Sequence, residues 1–192
     1  YDLNLKISAV LTPRDRLSCS AYYGRDVFRL GSEFATDWGN AVVSLQWRRV
    51  YGKALAQRLS VHYSRFGYGF ELKQSDVQVR YTSGMQELGA ALTYDWTPAD
   101  SFRLRFGAQV NRQTFSLGRV EPLSDSSGIT GFKTPDRIAA NIALYAAAVH
   151  QPLRWLTLDY GLRLNYFMQL GPGAAYTFNP ETYLEDKTPV DS

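Results

Sequence analysis

The chain has 192 residues, enough for one ordinary domain, and its formal net charge of +3 is too weak and too evenly spread to argue for nucleic acid. Its one cysteine, Cys19, excludes an internal disulfide and any multi-cysteine metal site. No apolar run approaches the roughly 20 residues of a membrane-spanning helix, yet a mean hydropathy of -0.28 does not exclude a membrane barrel, whose strands are polar on alternate residues.

Eight stretches alternate apolar and polar residues, the pattern of strands with one oily and one wet face. The first runs from Tyr1 to Leu11, with Leu3, Leu5, Ile7, Ala9 and Leu11 on one side. Thr12-Pro13-Arg14-Asp15 reads as a turn, because proline fixes φ and removes a donor. The second strand spans about Arg16 to Phe28 and carries Cys19 on its apolar parity. A longer, mixed loop is expected from Arg29 to Asp37. The third, Trp38 to Val50, sets Ala41, Val43, Leu45 and Trp47 against Asn40, Ser44, Gln46 and Arg48.

Tyr51-Gly52-Lys53 is a second short turn. The fourth strand covers about Ala54 to Phe70, and Gly67 and Gly69 in SRFGYGF suggest a bulge or bend. A short polar break, Glu71 to Ser75, precedes the longest strand, Asp76 to Trp96. There Val77, Val79 and Tyr81 share odd parity, whereas Leu88, Ala90, Leu92, Tyr94 and Trp96 share even parity. A β-bulge near Ser83-Gly84 is the simplest cause.

Thr97-Pro98-Ala99-Asp100 closes a third short turn before the sixth strand, Phe102 to Leu117. A long polar loop follows, Gly118 to Arg137. Ile138 to His150 is alanine-rich and helical by propensity, but it alternates and its neighbours are strands, so it is read as the seventh strand. Gln151-Pro152-Leu153-Arg154 turns into the eighth, LTLDYGLRLNYF from Leu156 to Phe167. Gly171 to Ser192 reads as loop.

Short turns thus alternate with longer loops, which predicts an all-β, antiparallel, up-and-down transmembrane β-barrel sheet of eight long strands. The short turns fall on the periplasmic side and the longer loops outside. A span needs about 9–11 residues, so the long fourth and fifth strands should project above the bilayer as a hairpin. Trp47, Tyr51, Trp96, Phe102 and Trp155 lie beside short turns. Tyr23, Phe28, Trp38, Tyr68, Phe70 and Tyr166 lie towards the other ends, so two interfacial aromatic bands are expected. Lys6, Arg48, Arg58, Arg103, Arg105, Asp159 and Arg163 take the inward parity, where a wet lumen solvates them. Arg49 takes the other parity near a strand end, from which it can snorkel.

The motifs of chemistry are missing. His62 and His150 sit on different strands with no metal-ligand spacing, and no GxSxG, Walker loop or GxGxxG after a strand is present. The oxygens of DSSGITGFKTPD, Asp125 to Asp136, fail EF-hand spacing and read as a solvated loop. The expectation is a non-enzyme with no cofactor and no metal.

YDLNLK at the start, DRLSCSAYYGRDVF at Asp15 to Phe28, WGNAVVSLQW at Trp38 to Trp47, LSVHYSRFGYGF at Leu59 to Phe70, FRLRFGAQVNRQTFSLG at Phe102 to Gly118 and LTLDYGLRLNYFMQLGPG at Leu156 to Gly173 resemble barrel segments of TonB-dependent outer-membrane receptors. The resemblance spans nearly the whole chain. It implies a barrel of about 22 strands in the bacterial outer membrane, plugged by an N-terminal domain and coupled through TonB to nutrient import. On that reading residues 1–192 are an internal, open piece of the barrel, with no plug, no TonB-contacting segment, no export signal and no closing strand ending in an aromatic. Its partners would be membrane lipid, the plug, TonB and the imported nutrient. Ligand contact is expected on the lumen-facing row at Arg105, Asn111, Arg163 and Asn165 and in the loop Gly118 to Arg137. Two other readings stay open: a complete eight-stranded barrel with a structural or adhesive role, and a soluble β-sheet binding module.

Overall fold

The computed structural model describes residues 1–74, 77–124 and 128–171, and beyond them the pairing of two short strands near the C-terminus. In chain order the strands are β1 (Asp2–Thr12), β2 (Asp15–Leu30), β3 (Phe34–Val50), β4 (Leu55–Gln74), β5 (Val77–Ala99), β6 (Phe102–Pro122), β7 (Phe132–Lys133), β8 (Arg137–Leu153), β9 (Leu156–Leu170), β10 (Thr177–Phe178) and β11 (Glu185–Asp186). The fold is all-β and antiparallel. One up-and-down sheet runs β1-β2-β3-β4-β5-β6-β8-β9, with β7 added to β6, and β10 pairs with β11 separately. Among the described residues β1 and β9 do not pair, so the sheet is not closed into an eight-stranded barrel.

Among the described residues no second layer covers its apolar side: Leu5 is 56% exposed and Leu162 68%. The alanine-rich segment is strand, pairing residue for residue with β6 and β9. Tertiary pairing on both sides overrides its helical propensity.

Several breaks are tighter than the sequence suggests. β2 and β3 run on to Leu30 and Phe34, so the expected loop from Arg29 to Asp37 shrinks to Gly31-Ser32-Glu33. Gly31 there has φ 61, a left-handed conformation that glycine adopts without strain. The Gly67 and Gly69 segment carries no bulge, since both of its ladders pass through in register. At Pro98 and Pro152 the ladders lose register between Trp96 and Ala99 and between His150 and Leu153, because proline has no N–H to donate. The expected break at Glu71 to Ser75 is strand as far as Gln74, and Ser75 lies outside the described residues, as does nearly all of the segment after Gly171.

The register shift expected in β5 is a correction. β5 pairs with β4 without interruption from Trp96 to Val77. The irregularity lies in the next ladder, where Thr82 pairs with Arg119 and Gly84 with Ser116. One residue of β5 there faces two of β6, so the bulge sits at Leu117-Gly118. The parity of the apolar residues in β5 does change, but the backbone does not: the oily residues move to the opposite face of a straight strand.

Candidate functional site: a two-faced sheet

Following the pairs across the sheet gives rows of side chains on a common face. Leu17, Trp47, Leu59, Leu92, Ala108, Leu144 and Leu164 form one such row on the apolar face. Two further rows show where the apolar band stops. Asp15, Arg49 and Gln57 continue into Tyr94, Phe106, Ala146 and Leu162. At the other end, Tyr23 and Ala41 continue into Arg65, Gln86 and Thr114, and the row turns apolar again at Ile138 and Leu170. The lower edge of the band therefore crosses the ladders obliquely, dropping towards the short-turn end between β2 and β9, while its upper edge dips across β4 to β6. Strands tilted to a flat slab of hydrocarbon produce such a slope. Below the band, Asp15 accepts a bond from Trp47 Nε1 at 3.0 Å and lies 3.6 Å from Arg49, so charge at that edge is paired.

The opposite face over the same height is polar. Ser20 Oγ and Ser44 Oγ lie 2.7 Å apart, and the Glu87 carboxylate accepts a bond from Gln113 Nε2 at 2.5 Å and lies 2.8 Å from His62 Nε2. The four expected ligand contacts all take this face, but not as one group. Arg163 donates to Asn165 Oδ1 at 2.9 Å and to Gln109 Oε1 at 3.1 Å. Gln109 Nε2 donates to Asn111 Oδ1 at 3.4 Å. Arg105 stands apart in an ion pair with Asp95 at 2.7 Å. Arg163 reaches Gln109 across β8, and Tyr145 reaches over Gly107 to Thr93 Oγ1 at 2.6 Å across β6. A Cβ at Gly107 would collide with the Tyr145 ring and the Leu92 carbonyl, so the bare backbone makes that crossing. His62 belongs to the polar face, and His150 packs its ring edge-on against Phe102 at 5.6 Å on the apolar one.

Beyond the apolar band, towards the longer loops, the faces exchange character. Phe28, Thr36, Phe70, Tyr81 and Val120 form one row continuous with the polar face, and Asp26, Trp38, Tyr68 and Ser83 form the next. Phe70 stacks on Tyr81 at 5.3 Å and tilts against Tyr68 at 6.4 Å. Phe28 remains 51% exposed and Trp38 39%. On the reverse side lie ion pairs, Arg80 with Glu71 at 3.2 Å and Arg119 with Glu121 at 2.7 Å. The second aromatic band expected from the sequence is thus corrected: Tyr23 and Tyr166 lie on the apolar face, but Phe28, Trp38, Tyr68 and Phe70 lie on the other. An exposed aromatic patch of this kind marks a surface that meets another molecule. Sequence reasoning missed it, although the parity change in β5 was its signal.

The loop Gly118 to Arg137 is described except for residues 125–127. Its β7 pairs with Arg119 and Val120 of β6. Asp136 accepts bonds from Lys133 Nζ at 3.2 Å and Ser116 Oγ at 3.1 Å, which hold its carboxyl below the usual carboxylate range.

Neither a protein-family model nor a curated protein sequence matches this chain. Among solved structures it resembles a protein described as copper transporter OprC, with a TM-score of 0.69 over 89% of this chain at 13% sequence identity. The match covers 29% of that protein, so this chain spans less than a third of its length. At that identity the likeness establishes the architecture: an open antiparallel sheet with the fold of a β-barrel segment.

Proposed function

We propose that this sheet is part of the barrel wall of a TonB-dependent outer-membrane receptor that imports a nutrient, and that it performs no catalysis. The observation that carries the reading is the exchange of faces at the upper edge of the apolar band on β2 to β6. Below that edge the oily side meets lipid and the wet side lines a lumen. Above it the outer side meets water, and the inner side is free to be aromatic. A soluble sheet has no reason to reverse its hydrophobic side partway along unbroken strands.

On this reading an arriving ligand first meets Trp38, Tyr68, Phe70 and Tyr81, then descends past Asn111, Arg163 and Asn165. Rings offer flat stacking faces, while amides and guanidinium offer directional donors. That combination suits a nutrient with planar or sugar-like surfaces and oxygen acceptors. Among the described residues no three His, Cys, Asp or Glu converge. The plug and TonB would act on this wall in the intact receptor.

The test is uptake by cells carrying the full-length gene, with and without an uncoupler of the inner membrane. Uptake should fall with the uncoupler and with Trp38→Ala combined with Phe70→Ala, while the protein stays in the outer membrane. A gene product recovered in soluble form, or deletion of the gene leaving every nutrient tested taken up at the parental rate, would end the proposal.

A further inference from the structure

Three arginines meet side by side on the polar face, at its short-turn end. Arg16 of β2 pairs with Arg48 of β3, and Arg48 pairs with Arg58 of β4. Residues paired in this way present their side chains to one face, and neighbouring strands lie about 4.8 Å apart, so the three guanidiniums line up over about 10 Å. The same row runs on through Thr93, Gly107 and Tyr145 to Arg163. Arg16 and Arg48 are exposed, and Arg58 is half-buried.

Like charges set directly opposite one another repel. Among the described residues none of the three has an acidic or hydrogen-bonding partner to offset that repulsion. Other arginines of the wall stand beside an acid: Arg25 with Asp37 and Arg80 with Glu71, each at 3.2 Å, and Arg119 with Glu121 at 2.7 Å. Asp95, on the same face two residues beyond Thr93 in β5, is held by Arg105 at 2.7 Å. Glu87, higher on that face, is taken by His62 and Gln113. Towards the longer loops the next row is Ser18, Gln46 and Ser60, and the one after it brings Lys6, Ser20 and Ser44. Three cations are thus followed by hydroxyl and amide donors and then by a fourth cation.

We propose that this row binds a small multivalent oxyanion, a solute carrying two or more carboxylate or phosphate groups, low in the lumen. The inference rests on the import reading above and gives the imported ligand a charge. A guanidinium grips a carboxylate or phosphate through two parallel N–H bonds. Guanidiniums repeated at strand spacing suit linked anionic groups rather than a single one, and the serines and Gln46 beside them donate to the remaining oxygens. The row is in line with Arg163, on the ligand's proposed descent, which favours a travelling solute over a fixed partner.

The test is arginine footprinting with phenylglyoxal, read by mass spectrometry, on the full-length protein folded in nonionic detergent. Arg16, Arg48 and Arg58 should react when no ligand is added. Tricarballylate or inorganic triphosphate should protect them at concentrations about tenfold or more below those of acetate at equal ionic strength. Arg154, in the turn between β8 and β9, should react alike throughout. Arg48→Gln should weaken the protection of Arg16 and Arg58 by about tenfold. If that variant does not fold, the wild-type footprint decides alone. Protection no better than by acetate, or unchanged in folded Arg48→Gln, overturns the proposal. So does a row that is unreactive before any ligand is added, because an acid of the receptor itself then occupies it. The footprint involves no transport, so lost uptake with the protection intact counts against import alone, and lost protection with uptake intact counts against this site alone.

Discussion

Leu162 and Arg163 are successive residues of β9 with opposite surroundings. Leu162 projects from the middle of the apolar band, in the row of Tyr94, Phe106 and Ala146. Arg163 packs over the Tyr145 ring at 5.6 Å on the polar face. Leu162→Arg should destabilise the sheet in lipid by about 2–4 kcal/mol, the scale for a cation at the bilayer midplane. Arg163→Leu breaks its bonds to Gln109 and Asn165 for about 1 kcal/mol. Urea titration of the protein folded into vesicles measures both, and equal tolerance would contradict the assigned faces. At Gly107 the crossing of Tyr145 sets a second expectation. Tyr145→Phe loses the bond to Thr93 and about 1 kcal/mol. Gly107→Val drives a branched carbon into Tyr145 and the Leu92 carbonyl and should destabilise by more in the same titration. The four ligand contacts named from the sequence were legible as to face, because parity decides face. Their separation into a Gln109-centred set and an Arg105–Asp95 pair was not, since lateral neighbours depend on register.

In β6 the extra residue at Leu117-Gly118 separates two ladders that are each in register with β5. Deleting Leu117 should therefore preserve folding, because the flanking pairs Gly84–Ser116 and Thr82–Arg119 survive. Deleting Ala108, in an unbroken stretch, slips half the strand by one residue and turns its oily side chains to the polar face. Heat-modifiable migration on gels distinguishes a folded from a collapsed product. The β7 clasp carries a pH dependence. Hydrogen bonds from Lys133 and Ser116 depress the Asp136 carboxyl, so its contribution is full above the unfolded value of about 3.9 and is lost as pH falls through the lower folded value. The protection of the Phe132 and Lys133 amides, relative to the unstructured rate at the same pH, should fall over that acid window, and Asp136→Asn should lower it at neutral pH. Strand existence was plain from period-two alternation in seven of the eight long strands, and the alanine-rich one was read as strand from its weaker alternation together with its neighbours. The face exchange was not, because a bulge and a change of surroundings leave the same parity trace in β5.

At the scale of the whole sheet, β1 and β9 each leave one edge unpaired among the described residues. Residues 1–192 expressed alone should associate through these edges. Sedimentation in detergent should show oligomers, and Leu5→Pro in the outermost strand should reduce them. Monomers at every concentration would argue that the edges are protected. The up-and-down order could be read in advance because consecutive strands joined by short turns have few other ways to pair. The slope of the apolar band's lower edge could not, since it emerges when rows from neighbouring strands are laid side by side. Within that band Cys19 pairs with Ile7 on one side and Leu45 on the other, exposed on the apolar face. The chain thereby carries its own depth gauge: with no second thiol to compete, a nitroxide attached there should be relaxed by dissolved oxygen, which concentrates among acyl chains, and scarcely at all by a water-confined nickel chelate.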